Sequence, residues 1–303
     1  MCNMVTLTIH TATYNRGYIL SKAYESLKSQ TNKDFEWIIT DDGSIDNTEE
    51  LVKSWMHEDN GFPIIYNKLN HVGIPRALNY GVEHSSAEWF MMLDSDDYIL
   101  PNTVELVLKW LEEIKNIDKI AGIGFARCFP NGEYMKPQVP IIDESLGYID
   151  ASHIERNKYH LDMDMCEVHR TCLFKKFPFQ VYPTEMYAPE RLPFFEMAFA
   201  GWKLRWRRSK LYVCDYLPDG QTKDNRIVKN NPMGYAMYYN QNLLVHTKFK
   251  ECFTDAMQMI ALCICAGHVE YLKNSNNMLV TILAFPVGVL LGIRRKIQFI
   301  MMN

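Results

Sequence analysis

Trp89-Phe90-Met91-Met92-Leu93, followed by Asp94-Ser95-Asp96-Asp97, decides the fold of this chain. An unbroken apolar run of this length reads as a strand buried on both faces, and such strands belong to parallel sheets. Upstream, Val5, Leu7 and Ile9 alternate with Thr6, Thr8 and His10 in a strand pattern, and Phe35 to Thr40 and Pro63 to Lys68 are further short runs. Downstream, Ile120 to Phe125 is another. Helical spacing fills the gaps: Ile19, Ala23 and Leu27; Leu51, Val52, Trp55 and Met56; Ala77, Leu78, Gly81 and Val82; Val104, Leu108 and Leu111. Asp46 with Glu49 reads as a capping pair, and Pro75 marks a helix start. The alternation predicts an α/β fold: a mostly parallel sheet with helices on both faces and right-handed crossovers. Ligands of such sheets bind at the carboxyl ends of the strands, so chemistry is expected just after Ile9, Thr40 and Leu93.

The composition fits a folded enzyme-sized chain. It has 303 residues, 48% of them apolar and 22% charged, which excludes collagen, coiled coil and general disorder. The net charge of −4 argues against a nucleic-acid partner. The charge is uneven: residues 1–199 hold 18 Lys/Arg against 30 Asp/Glu, a net of −12, whereas residues 200–303 hold 14 against 6, a net of +8. The final third is thus expected to meet something anionic. The eight cysteines form no Cys-x-x-Cys pair, so no zinc site is expected and a reducing cytoplasm suits them. The start, Met1-Cys2-Asn3-Met4, has no basic and apolar leader pattern, and the protein reads as not exported.

Three polar motifs follow the strands. Asp41-Asp42-Gly43-Ser44 is either a turn and helix entry or a carboxylate pair that accepts hydrogen bonds from a nucleobase and a ribose. Asp94, Asp96 and Asp97 crowd negative charge at the end of a buried strand, where repulsion is costly without a cation. A hard divalent ion, Mg2+ or Mn2+, resolves it and can bridge to a diphosphate; a solvated loop, or a cap for the helix at Pro101, is the plainer reading. Arg76, in Gly73-Ile74-Pro75-Arg76-Ala77-Leu78-Asn79, suits a phosphate or base edge, or a surface ion pair.

Together with Thr11-Ala12-Thr13-Tyr14-Asn15-Arg16, these motifs stand in an order and spacing that resemble a family 2 glycosyltransferase of GT-A fold. The resemblance is close from residue 4 to about 110 and looser to about 225. It implies that Thr11, Thr13 and Tyr14 hold the nucleotide, that Asp42 with Asp41 contacts base and ribose, and that Arg76 and Ser95 lie on the donor side. It further implies that Asp94 and Asp96 form the metal pair, with Asp96 the direct ligand. Ala12 stands where the family usually has proline, which removes no ligand. Inverting transfer needs a carboxylate to take the proton of the acceptor hydroxyl while the metal steadies the departing diphosphate. Family members place this base shortly before a helix that ends in glycine. Glu190, eleven residues before Gly201, stands at that position, with Glu185 second and Glu196 third. Asp219-Gly220-Gln221-Thr222 resembles a segment that closes over the donor in some members.

The resemblance implies a catalytic domain over residues 1–225, with a nucleotide half at 1–125 and an acceptor half at 126–225, then a helical region over 226–303. It implies a nucleoside-diphosphate sugar donor, UDP-linked by family frequency, and a glycan or polyprenyl-linked acceptor in surface polysaccharide synthesis. Met278 to Ile293 is apolar apart from Thr281 and is followed by Arg294-Arg295-Lys296. It falls short of the ~20 residues that span a bilayer, and Pro286, Gly288 and Gly292 weaken a helix. Residues 278–296 read as a peripheral membrane contact or as a helix packed on the protein, and the +8 charge tilts toward the membrane. The expected location is the cytoplasm, at the inner face of the plasma membrane. Two rivals are a nucleotidyltransferase, opposed by the lack of a Gly-rich basic loop in residues 11–17, and a non-catalytic sugar-nucleotide binder.

Overall fold

In the computed structural model, which describes residues 5–214 and 226–301, the expected alternation is present element by element. β1 (Leu7–Thr13), α1 (Ser21–Lys28), β2 (Phe35–Asp41), α2 (Thr48–Met56), β3 (Ile64–Lys68), α3 (Ile74–His84) and β4 (Trp89–Met92) come first. A short β5 (Tyr98–Ile99), α4 (Thr103–Ile114) and β6 (Ile120–Cys128) follow. Then come β7 (Ile149–Ala151), β8 (Met165–Arg170), α5 (Thr171–Lys176), α6 (Arg191–Phe199) and β9 (Lys203–Val213). The last elements are α7 (Ile227–Asn230), α8 (Pro232–Val245), α9 (Phe249–Ala266) and α10 (Met278–Met301).

The strands form one sheet in the order β3-β2-β1-β4-β8-β6-β9-β5, with β7 on β9. β3, β2, β1 and β4 are parallel, as are β6 and β9, whereas β8 runs antiparallel between β4 and β6. β8 is the departure from the sequence reading, which places β4 and β6 in simple succession.

Helices on both faces bury even the polar positions of β1. Thr8 Oγ1 donates to Glu36 Oε1 at 2.6 Å, and His10 Nε2 meets Thr40 Oγ1 at 2.9 Å. This polar layer lies under α3, where a Cβ on Gly81 would come within 2.2 Å of the His10 ring. Burial pushes the His10 pKa down to about 3, so the ring is neutral. On the other face Tyr24 stacks on Trp55 at 4.3 Å, with Trp37 beside both in the main apolar core. Asp46 does cap the α2 entry, through Thr48 N at 3.1 Å, and also accepts from Gly17 N at 3.0 Å. The expected return bond from Glu49 is replaced by ion pairs with Lys53 and Lys68, at 2.6 and 2.8 Å.

The chain packs into two units, residues 1–179 with 196–217, and residues 180–195 with 218–303. The sequence reading divides it after residue 225; the segment 180–195 instead joins the carboxyl-terminal helices. The first unit holds the sheet. It also buries Glu167 against His153, Nε2 to Oε2 3.4 Å, and Arg156, Nη1 to Oε1 3.2 Å. The second unit has its own core, centred on Met233, Met259, Ile260 and Ala284.

Candidate active site

The ends of β2 and β4 flank the end of β1. Thr13 pairs with Asp41 in register, Asp42 N donates to Thr13 O at 2.8 Å, and Leu93 N donates to His10 O at 2.9 Å. Both acids of the first turn are buried and hold loops. Asp41 accepts from Ser44 N at 2.7 Å and from the Tyr66 hydroxyl at 2.5 Å. Burial, helped by the Asp41 carboxylate, pushes the Tyr66 pKa far up, so it stays a donor. Asp42 accepts from Val72 N at 2.6 Å and Gly73 N at 2.9 Å, which ties the turn to the start of α3. Gly43 is required here: its φ is +87°, and a Cβ would lie 3.1 Å from Leu69 O.

Around these acids the other expected donor residues differ in availability. Thr11 is buried and accepts from Trp37 Nε1 at 3.0 Å, a role inside the sheet. Thr13 Oγ1 is buried with no hydrogen-bond partner among the described residues. Tyr14 is exposed and stacks on His71 at 4.3 Å, which makes a flat aromatic edge beside the turn. Arg76 is half-buried and donates from Nη1 to Val72 O at 2.8 Å.

The second acidic turn surrounds a cation that sequence reading misses. Arg127, on β6, approaches Asp94 Oδ2 at 2.7 Å and Asp97 Oδ2 at 3.6 Å, and its guanidinium lies 4.2 Å from the Tyr212 ring centroid. The Tyr212 hydroxyl donates to Asp94 Oδ2 at 3.1 Å and accepts from Asp94 N at 2.8 Å. Loss of solvent alone would raise the Asp94 pKa; the Arg127 charge outweighs it and holds that carboxyl below its ordinary range. Asp97, buried and next to Asp94, is pushed up to about 7. Ser95 is buried and Asp96 half-buried between them.

This donor set fits a divalent cation. Asp94 is half-exposed, and its Oδ2 takes both the Arg127 and the Tyr212 bonds, which leaves Oδ1 on the other side of the carboxylate. Asp94, Asp96 and Asp97 bring carboxylate oxygens to one turn, and such oxygens are the ligands Mg2+ and Mn2+ prefer.

The three candidate bases occupy different settings. Glu185 is buried, with Oε1 on Met233 N at 2.6 Å and Oε2 on Gly234 N at 2.7 Å. Both its oxygens cap the start of α8, the helix-start role that such carboxylates often have. Burial raises its pKa although the two N–H groups pull the other way. Glu190 is exposed and directly precedes α6, and Gly201 ends that helix region at φ +85°. Glu196 is half-buried within α6. Asp219 to Thr222 lies outside the described residues.

Residues 8–177 match the family model described as glycosyl transferase family 2. The chain belongs to glycosyl transferase family 2. Among its relatives are glycosyltransferase GlyG of Streptococcus pneumoniae, 32% identical over 36% of each chain, and the GalNAc(5)-diNAcBac-PP-undecaprenol beta-1,3-glucosyltransferase of Campylobacter jejuni, 29% identical over 42% of this chain and 38% of that one. These matches span little more than a third of the relatives' length. Among solved structures, S. aureus TarS 1-349 in complex with UDP-GlcNAc aligns with TM-score 0.61 and 14% identity, over 92% of this chain and 79% of that one. The mannosyltransferase PcManGT from Pyrobaculum calidifontis, in complex with GDP-Man and Mn2+, aligns with TM-score 0.52 and 14% identity, over 95% and 81%. The fold is the GT-A α/β arrangement expected from the motifs.

In this family 2 chain the motifs are visible in the sequence because each is contiguous. Arg127 and Tyr212 are not, since they reach the turn from β6 and β9. One signal is available: Arg127 follows the apolar run Ile120 to Ala126, where a charge needs a buried partner.

Proposed function

We propose that the protein is an inverting glycosyltransferase that moves a sugar from a nucleoside diphosphate, UDP first, to a glycan or polyprenyl-linked acceptor. The observation that carries this reading is the acidic turn 94–97 gathered around Arg127 at the end of β4, beside the Thr13–Asp42 loop. Asp94 and Asp96 would hold Mn2+ or Mg2+. The bound cation would stabilise the charge on the departing diphosphate.

The remaining roles fall to this chain's own residues. Thr13 Oγ1 and the Tyr14 ring face the nucleotide with Arg76 and Ser95, and Asp41 and Asp42 keep that loop pair in position. Glu190 takes the proton of the acceptor hydroxyl as that oxygen forms the new bond to the anomeric carbon. The bond to the diphosphate oxygen breaks on the opposite face, so configuration inverts. Glu190 is favoured over Glu185 because Glu185 already caps α8 with both oxygens. The PP-undecaprenol acceptor in the printed name of the Campylobacter relative supports a similar acceptor class here; the cytoplasmic face of the plasma membrane is the location we propose.

The test is purified protein with a panel of UDP-sugars and Mn2+, read as UDP release, with the product anomer assigned by NMR. Turnover that EDTA removes is expected. No hydrolysis or transfer with any donor, together with no UDP binding by calorimetry, would overturn the reading.

A further inference from the structure

α10 is a continuous helix through Pro286, and the glycines expected to weaken it are its points of closest approach. Thr281, Ala284, Gly288 and Gly292 are buried. A Cβ on Gly288 would lie 2.7 Å from Ile260 Cβ, and one on Gly292 would lie 2.9 Å from Ile264 Cβ, both on α9. The opposite side is open. Leu279 and Leu290 are 70% and 69% exposed, and Ile282, Leu283, Phe285 and Ile293 are exposed with them. From Met278 to Ile293 this outward side contains no polar residue. Exposed Arg294 and Lys296 follow directly, and no acidic residue occurs after Glu270.

An apolar face of this extent is unfavourable in water and marks an interaction surface. Its chemistry selects the occupant: long aliphatic side chains with no polar rim, ended by cations and free of acids. We infer that the outward face of α10 inserts into the plane of an anionic lipid bilayer, with Arg294 and Lys296 against the headgroups.

The helix is long and apolar enough to cross a membrane, but its attachments argue for lying in it. Ser275 Oγ meets Thr281 Oγ1 at 2.7 Å, Asn276 N donates to Asn240 Oδ1 at 2.8 Å, and Arg295 Nη2 donates to Gln258 Oε1 at 2.7 Å. Asn240 ties the chain just before α10 to α8, and Gln258 ties the carboxyl-terminal part of α10 to α9. A spanning helix would carry α9 into hydrocarbon with Asp255 and Glu251. The inference rests on the proposed function only for which leaflet is meant, and its test reads no turnover, so either can fail alone.

The full chain is floated with phosphatidylcholine vesicles made with and without phosphatidylglycerol. Binding is expected to both and to be tighter with the anionic lipid. The R294Q/K296Q variant should bind anionic vesicles roughly thirtyfold more weakly, about fivefold per cation removed. The L283E/L290E variant, altered only at exposed positions, should keep its melting temperature and lose binding to both. A carboxyl-terminal tag on vesicle-bound protein should remain open to added protease. Wild type that floats with neither vesicle would overturn the inference. So would a wild-type dimer that L283E/L290E turns into monomer without any vesicle binding, because the face would then join two copies. A protease-protected tag would overturn the in-plane arrangement.

Discussion

Arg127 Nη1 lies 2.7 Å from Asp94 Oδ2, so the acidic turn after β4 carries a counterion of its own. The pair joins β6 to the end of β4, residues that the sequence separates widely but the sheet brings together. Tyr212, from β9, bonds the same Asp94 oxygen. The acidic turn is therefore set by the far half of the sheet as well as by its own strand.

Removing this cation should make the fold depend on a metal. In Arg127→Met, Asp94 and Asp97 face each other without compensation. Breaking a fully buried pair costs about 3–5 kcal/mol, and the half-exposed Asp94 reduces this to roughly 2 kcal/mol. The variant should melt lower in EDTA, and Mn2+ should restore more of its stability than it adds to wild type. Equal gains from Mn2+ in both proteins would mean that Arg127 does not stand in for a metal at this acidic turn.

The layer under α3 gives a prediction about packing alone. Gly81→Ala places a methyl 2.2 Å from the His10 ring, and His10 cannot retreat without losing Thr40 Oγ1 at 2.9 Å. Overpacking of this kind costs about 1–3 kcal/mol. Urea unfolding should show a lower midpoint with an unchanged slope.

These two sites mark what the sequence makes legible. Strands with both faces covered read as apolar runs, so Trp89 to Leu93 and the acids after it are recognisable as a buried strand and its carboxyl end from composition alone. Gly81 can be placed on a helix, but not opposite His10, because that contact depends on how α3 lies over β1. β8 escapes for a related reason: an antiparallel strand inserted between β4 and β6 is defined by pairing, not by its own pattern. Glycine misleads in α10, where local propensity points to weakness and tertiary packing uses Gly288 and Gly292 for close approach.

Glu167 should give stability an unusual pH slope. Burial pushes its pKa up to about 7, against the pull of Arg156, from an ordinary value near 4.5. Between those values the folded chain holds a proton that the unfolded chain has released, so this group's contribution falls as pH rises through the window. His10 and His169, lowered to about 3 by burial, act oppositely: they are neutral when folded and protonated when unfolded, so stability falls as pH drops below about 6.5. Comparing Glu167→Gln with wild type isolates the first effect. The variant should gain on wild type as pH rises from about 4.5 to 7 in urea titrations. A constant difference across that range would mean that Glu167 is ionised throughout.

Glu185 and Glu190 separate a structural carboxylate from a chemical one. Glu185 accepts from two N–H groups at the start of α8, and an amide in its place turns one acceptor into a donor facing a donor. Glu185→Gln should therefore lose about 1–3 kcal/mol of stability while the folded fraction keeps its kcat. Glu190 is exposed, and its replacement by Gln should lower the melting temperature less than Glu185→Gln does, since exposed positions tolerate substitution better than buried ones. If Glu190 takes the acceptor proton, Glu190→Gln should retain UDP binding by calorimetry and lose kcat by roughly 10²–10⁴-fold. Turnover retained in Glu190→Gln and lost in folded Glu185→Gln would reverse the assignment and make the α8 cap the reacting group.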